Sequence, residues 1–119
     1  MRTGHTFTPE KTVQGEAHIR NCAIDVIGTS FVPVAVPLSV TVLAVFPIAP
    51  SWPKKKQADA RSGVLRHTKK PDLDNIVKML DALNGIVWVD DSQIDQVFVR
   101  KVFGDQPRTV ISIRNDKPW

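Results

Sequence analysis

Four aspartates frame one short stretch of the chain, KKPDLDNIVKMLDALNGIVWVDDSQI, from Lys69 to Ile94. Asp72 and Asp74 stand near its front, Asp90 and Asp91 near its end, and Lys69, Lys70 and Lys78 lie among them. Carboxylates are hard oxygen ligands, and two or three of them can hold a Mg²⁺ ion that keeps several of its waters. Such an ion generates a nucleophilic water and neutralises charge on a phosphoryl group, which is what phosphodiester hydrolysis requires. Asp72, Asp74 and Asp91 converging would make this site, with the neighbouring lysines offsetting their mutual repulsion. Lys78, one helical turn beyond Asp74, could then touch a scissile phosphate and stabilise its transition state.

Each acid also has a structural explanation. Asp72 follows Pro71 and can cap a helix; Asp74 in the first turn opposes the helix dipole, an effect of roughly 0.3–1 kcal/mol. Asp90 and Asp91 can form a turn. With Leu73, Ile76, Val77, Leu80 and Leu83 on the buried side, Asp74, Lys78 and Asp81 fall at i, i+4 and i+7 on the other. An exposed Asp74–Lys78 pair stabilises a helix by only a few tenths of a kcal/mol. That gain does not account for the arrangement, whereas a catalytic role would.

The elements that must position these residues follow from periodicity. Leu73 to Leu83 recurs at helical spacing and Asn84-Gly85 supplies the stop. A second helix is predicted from about Val13 to Ile27, ending at Gly28. "LSVTVLAVF", Leu38 to Phe46, is rich in β-branched residues and apolar on both faces, which predicts a central strand. "IVWV" reads as a short strand or extended piece, and "QVFVRKVF" and "TVISIR" as two further strands joined into a hairpin by "GDQP". Residues 47–71 show no sustained period and read as a long loop, of the kind that is usually functional or disordered. The chain of 119 residues, 42% apolar, has one domain's worth of core, so residues 1–119 are expected to form a single α/β (α+β) domain.

Charge concentrates in that loop. Lys and Arg exceed Asp and Glu by 16 to 12, and Lys54, Lys55, Lys56, Arg61, Arg66, Lys69 and Lys70 fall in one segment against Asp59 alone. A basic patch beside clustered carboxylates would gather phosphate while the acids hold a metal; a solvated lysine-rich loop is the alternative. Trp52, inside the patch, is a candidate for stacking on a base, whereas Trp88 reads as core. Cys22 stands alone, which excludes an intramolecular disulfide and fits a reducing cytosol. His5, His18 and His67 lack zinc-ligand spacing. Pro33, Pro37, Pro47 and Pro50 break the one long apolar run, and no signal peptide is read at the start, so the expectation is a cytoplasmic protein without a membrane partner.

The joined pattern KPDLDNIVKMLDALNG, VWVDDSQI and Lys101, together with HTFTP near the start, resembles the RusA-type Holliday-junction resolvases, small metal-dependent endonucleases common in bacteria and their prophages. The resemblance implies a homodimer with a small mixed sheet of about four strands packed with two main helices. It implies paired symmetric cuts in four-way DNA junctions with Mg²⁺, for which Mn²⁺ can substitute, and no small-molecule cofactor. Asp72, Asp74 and Asp91 look like the family's metal-binding carboxylates, Lys78 like its functional lysine, Asp90 like an auxiliary acid and Lys101 like a basic position near the site. Lys54, Lys55, Lys56, Arg61, Arg66, His67, Lys69 and Lys70 are the expected DNA contacts. Relatives usually begin with a strand and a P-K-G-R-P-R-like phrase, so a chain opening at MRTGHTFTP reads as shortened at its N-terminus. The alternative readings are a junction-binding module impaired in catalysis and a structural domain whose acids are caps and turns.

Overall fold

In the computed structural model, which describes residues 4–7, 16–28 and 30–115, the chain is organised around one central strand. The elements run β1 (Gly4–Phe7), α1 (Glu16–Ile27), β2 (Leu38–Pro47), α2 (Lys54–Ser62), α3 (Leu73–Lys78), 3-10 turns at Met79–Leu83 and Asp91–Gln93, β3 (Ile94–Gly104) and β4 (Arg108–Arg114). The sheet order is β1-β4-β2-β3. β2 pairs in parallel with β3 and antiparallel with β4, and β1 pairs antiparallel with the far side of β4. The chain is therefore mixed α+β, and its β2 is central as the apolar run predicts.

Alternation along β2 decides which face is buried. Leu38, Val40, Val42 and Ala44 are sealed from solvent, and Val40 and Val42 stand opposite Ile113 and Ile111 of β4, which are sealed too. Each such Leu, Ile or Val side chain contributes roughly 1.5–3 kcal/mol by leaving water. Over that face lie Ile19 and Ala23 of α1 and Ile76, Leu80, Ala82 and Leu83 of the α3 segment, closed by Val87 and Trp88. Past Lys78 the helix tightens to a 3-10 turn, whose three residues per turn bring Leu80 and Leu83 onto one side, both buried. Gly28 ends α1 with φ 79° and its amide donates to the Ile24 carbonyl at 2.7 Å. The expected positions 13–15 of that helix lie outside the described residues.

Three sequence expectations need correction. The basic segment is not all loop: Lys54–Ser62 is a helix, stopped by Gly63 in the left-handed conformation at φ 89°. Its residues are good helix formers entered from a proline, but it buries only Ala60, so there was no apolar period to read. The GDQP turn does not make a hairpin. Residues 105–107 carry the chain past the end of β2, which sits between β3 and β4 and offers each of them a full edge. IVWV is not a strand of the sheet; residues 85–87 form a turn, and Trp88 makes single bridges to Val34 and Asn84.

A parallel pair needs a crossover, and here residues 48–93 provide it, carrying α2, α3 and both 3-10 turns. Every residue singled out for chemistry except Lys101 lies in that crossover, and Lys101 is on β3, the strand it leads into.

Candidate active site

The two aspartates at the front of α3 are positioned by their helix but not used by it. Asp72 is the N-cap residue, with extended backbone and with its carbonyl accepting from Ile76 at 3.1 Å, yet its carboxylate makes no cap hydrogen bond. The capping explanation for that side chain therefore fails. Asp74, one residue into the helix turn, pairs with Lys78 at 3.3 Å, and both side chains are largely exposed. Such a pair adds little to stability. It holds the Lys78 ammonium on the acidic side of the helix.

Lys101 fixes the approach to Asp72 from below. Its Nζ donates to the Lys69 carbonyl at 2.7 Å and to the Pro71 carbonyl at 3.1 Å, so one ammonium on β3 spans the two residues flanking the cis Lys70–Pro71 peptide. Charged donors make the stronger hydrogen bonds, and these tie the strand to the segment that presents Asp72.

The second acidic pair is set by a compact turn. The Trp88 indole donates to Asn84 Oδ1 at 2.6 Å, Gly85 at φ 78° donates to the Trp88 carbonyl at 2.7 Å, and Val34 exchanges backbone hydrogen bonds with Val87 and Val89. From this anchor the chain emerges at Asp90. Here the structural explanation holds: Asp90 accepts from Ser92 N at 3.0 Å while its own amide donates to Gln93 Oε1 at 2.8 Å, a capping box. Hydrogen bonds from Ser92 hold the Asp90 carboxyl below its usual range. Asp91 is different. Its carboxyl meets that of Asp81, and this hydrogen bond, followed by partial desolvation and the charge of Asp90, raises its pKa. Two carboxylates this close repel each other when both are ionised.

The expected convergence of Asp72, Asp74 and Asp91 on one ion is not present in this arrangement. Among the described residues, no three or more His, Cys, Asp or Glu side chains lie together closely enough to hold a metal. All three carboxylates are exposed and like-charged, and the contacts that Asp74 and Asp91 make are local ones, with Lys78 and Asp81.

The basic residues divide according to what already occupies them. Lys54, Lys55 and Lys56 form the exposed first turn of α2, with no acid there. Lys55 reaches Asp59 at 3.7 Å, and Lys56 sits 4.2 Å over the Trp52 ring, which in turn packs edge-on against Phe103. Arg61 is paired with Asp105 at 3.0 Å. Lys69, Lys70 and Arg66 are exposed. His67 is half-buried, stacked at 3.8 Å on Phe46 and tilted against Phe103; burial first, then the Lys101 cation, lowers its pKa, so its ring is neutral at pH 7.

The family model for endodeoxyribonuclease RusA matches residues 1–114. The chain belongs to the RusA family. It is also 42% identical over 80 residues to an uncharacterized protein, YqaN, of Bacillus subtilis (strain 168), a match that spans 66% of this chain and 56% of that protein. Among the described residues of this RusA-family chain, no helix is long and apolar enough to cross a membrane.

Two residues of this RusA-family site were not singled out by sequence. Asp81 was visible only as a neighbour of Asp74 and Lys78 on the exposed side of the helix; its contact with Asp91 depends on the fold of the turn between them. Arg100, next to Lys101 on β3, is among the residues lining a cavity between that strand and α2, but it lies opposite Leu43 and so on the other sheet face from Lys101, and nothing in its local sequence marks it.

Proposed function

We propose that this chain is a divalent-metal-dependent endodeoxyribonuclease that resolves four-way DNA junctions by paired symmetric nicks, acting in the cytoplasm as a homodimer with one RusA-like domain per copy. Membership of an endodeoxyribonuclease family supports the reaction class. The observation that carries the site is the contact between the Asp81 and Asp91 carboxyls, beside Asp90 and on the same helical segment as Asp74 and Lys78.

The donor set fits a hard cation. Two neighbouring carboxylates offer the oxygens a Mg²⁺ or Mn²⁺ would take, and Mg²⁺ is commonly held by one or two carboxylates with water filling its other positions. Asp91 and Asp81 would hold it; Asp72 and Asp74, at the front of α3, are not gathered with them in this arrangement. When bound, the ion supplies a nucleophilic water and offsets charge at the phosphoryl group. Lys78 presents its ammonium to the same phosphate and stabilises the charge that develops on it. Asp90 orients its neighbour Asp91 through the capping box, and Lys101 holds the segment that leads into Asp72. The three lysines opening α2 run against the helix dipole, so they do not serve the helix; a DNA phosphate would reverse the sign of their contribution. Trp52 stands beside them and would pack against DNA.

A second reading, a junction-binding module without catalysis, draws on the failure of three acids to gather in this arrangement. Incubating a synthetic four-way junction with the protein in Mg²⁺ or Mn²⁺ separates the two. The nuclease reading expects paired nicks from the wild type and none from Asp74→Asn. Salt-sensitive binding with no metal-dependent product selects the binding module.

A further inference from the structure

Gln93 stands where the acidic turn joins β3, and its side-chain amide is used at both ends. Its Oε1 accepts from the Asp90 amide at 2.8 Å, while its Nε2 donates to the Val34 carbonyl at 2.8 Å and to the Val36 carbonyl at 3.0 Å. The capping box accounts for the first bond alone, and a glutamate would serve there equally well. The other two need donated protons, which glutamine's amide supplies and glutamate's carboxylate does not. They reach back to the segment that leads from α1 into β2.

That segment already holds the chain that delivers the acids. Val34 donates to the Val87 carbonyl at 2.9 Å and accepts from the Val89 amide at 3.1 Å, which fixes the arm ending at Asp90. Gln93 attaches the far end of the turn to the same segment, so the exposed Asp91 lies between two attachments. The strand ladder is irregular at this point: pairing steps from Leu38–Ile94 to Ser39–Gln96, a break in register where β3 begins. Asp91 also bears the negative charge of Asp90 and Asp81. Like charges push apart, so the turn has to be held from outside the acidic group.

We propose that Gln93 is the positioning residue for Asp91: its amide locks the acidic turn to residues 34–36 and so keeps the Asp91 carboxylate beside Asp81 to receive a divalent cation. What the cation then does rests on the nuclease reading above; the lock itself does not.

The test uses the full chain and two variants. Gln93→Met keeps the length of the side chain and removes all three hydrogen bonds; Gln93→Glu can still accept from the Asp90 amide but has no proton for either carbonyl. Mn²⁺ is titrated into each protein without DNA and followed by electron paramagnetic resonance, with nicking of a labelled four-way junction in Mg²⁺ and junction binding in chelator measured alongside. Loss of a group that orients a metal ligand costs about 10–100-fold. Gln93→Met is expected to lose that much in Mn²⁺ affinity and in kcat for nicking, while its junction affinity stays within a few-fold of wild type. Gln93→Glu is expected to nick as slowly, because the capping box survives and the lock does not. Ile113→Val, a change in the buried face of β4 that lowers the melting temperature, controls for lost stability and is expected to bind Mn²⁺ and nick as wild type does. Wild-type Mn²⁺ affinity and nicking in Gln93→Met, wild-type nicking in Gln93→Glu, or an equal loss in Ile113→Val would overturn the role of Gln93 and leave the nuclease reading standing. Mn²⁺ affinity that falls in Gln93→Met while the wild type cuts no junction would keep the lock and remove the nuclease reading. A wild type that binds no Mn²⁺ would remove both.

Discussion

Asp72, Asp74, Asp81, Asp90 and Asp91 are one residue type with different surroundings. Asp90 is consumed by its turn, Asp74 is paired with Lys78, Asp91 leans on Asp81, and Asp72 occupies a cap position without capping. Removing a metal ligand without adding bulk should stop cutting and spare binding, so Asp91→Asn is expected to lose at least 100-fold in nicking rate while its junction affinity stays within a few-fold. Asp81→Asn, changing the partner of Asp91, is expected to cost about 10–100-fold. His67 gives the pH prediction. Its folded pKa is lowered from 6.5, so the neutral ring's contribution to stability is complete above that value and is lost as pH falls below it. The melting temperature should therefore fall as the pH is lowered below about 6.5. His67→Phe keeps the stack on Phe46, removes a ring nitrogen that has no partner, and should flatten that drop. Sequence singled out Asp72, Asp74, Asp90 and Asp91 because their types and spacing are local facts. It did not reveal Asp81 against Asp91, because ten positions separate them and only the Asn84–Trp88 turn brings them together.

Elements were legible in proportion to what they bury. β2 and the α3 segment each set a regular apolar row against the core, and both rows can be seen in the letters: Leu38, Val40, Val42 and Ala44 in one, Ile76, Leu80 and Leu83 in the other. α2 buries Ala60 alone and leaves its lysines in water, so its helical character rests on propensity and on Pro53 and Gly63 rather than on a pattern. The β3–β4 link looked like a hairpin because turn residues report that the chain reverses, not which strand lies between the two arms. Lys101 acts at this scale, joining β3 to the front of α3. Lys101→Met should lower stability by about 1–3 kcal/mol, measured by urea unfolding, through loss of two charged hydrogen bonds. It should also slow nicking more than it weakens junction binding, with partial recovery in Lys101→Arg.

For the whole molecule, the core and the chemistry meet at one turn. Trp88 is fully buried among β2, α1 and α3 residues, and the chain leaving it delivers Asp90 and Asp91 to the surface. Trp88→Ala should cost about 3–5 kcal/mol in unfolding free energy and disturb the acidic pair with it. A four-way junction with two-fold symmetry presents two equivalent phosphates, and one acidic group can attack one of them at a time, which is why a second copy of the chain belongs in the proposal. The central claim is that Asp91 and the acidic residues near it grip a divalent cation and use it to cut DNA. Its most direct test is a nicking assay on a labelled four-way junction, with wild type and Asp91→Asn each assayed in Mg²⁺ and in chelator. The account expects paired nicks only from wild type in Mg²⁺, with both proteins retarding the junction on a gel. Nicking by Asp91→Asn at the wild-type rate, or by either protein in chelator, would contradict it.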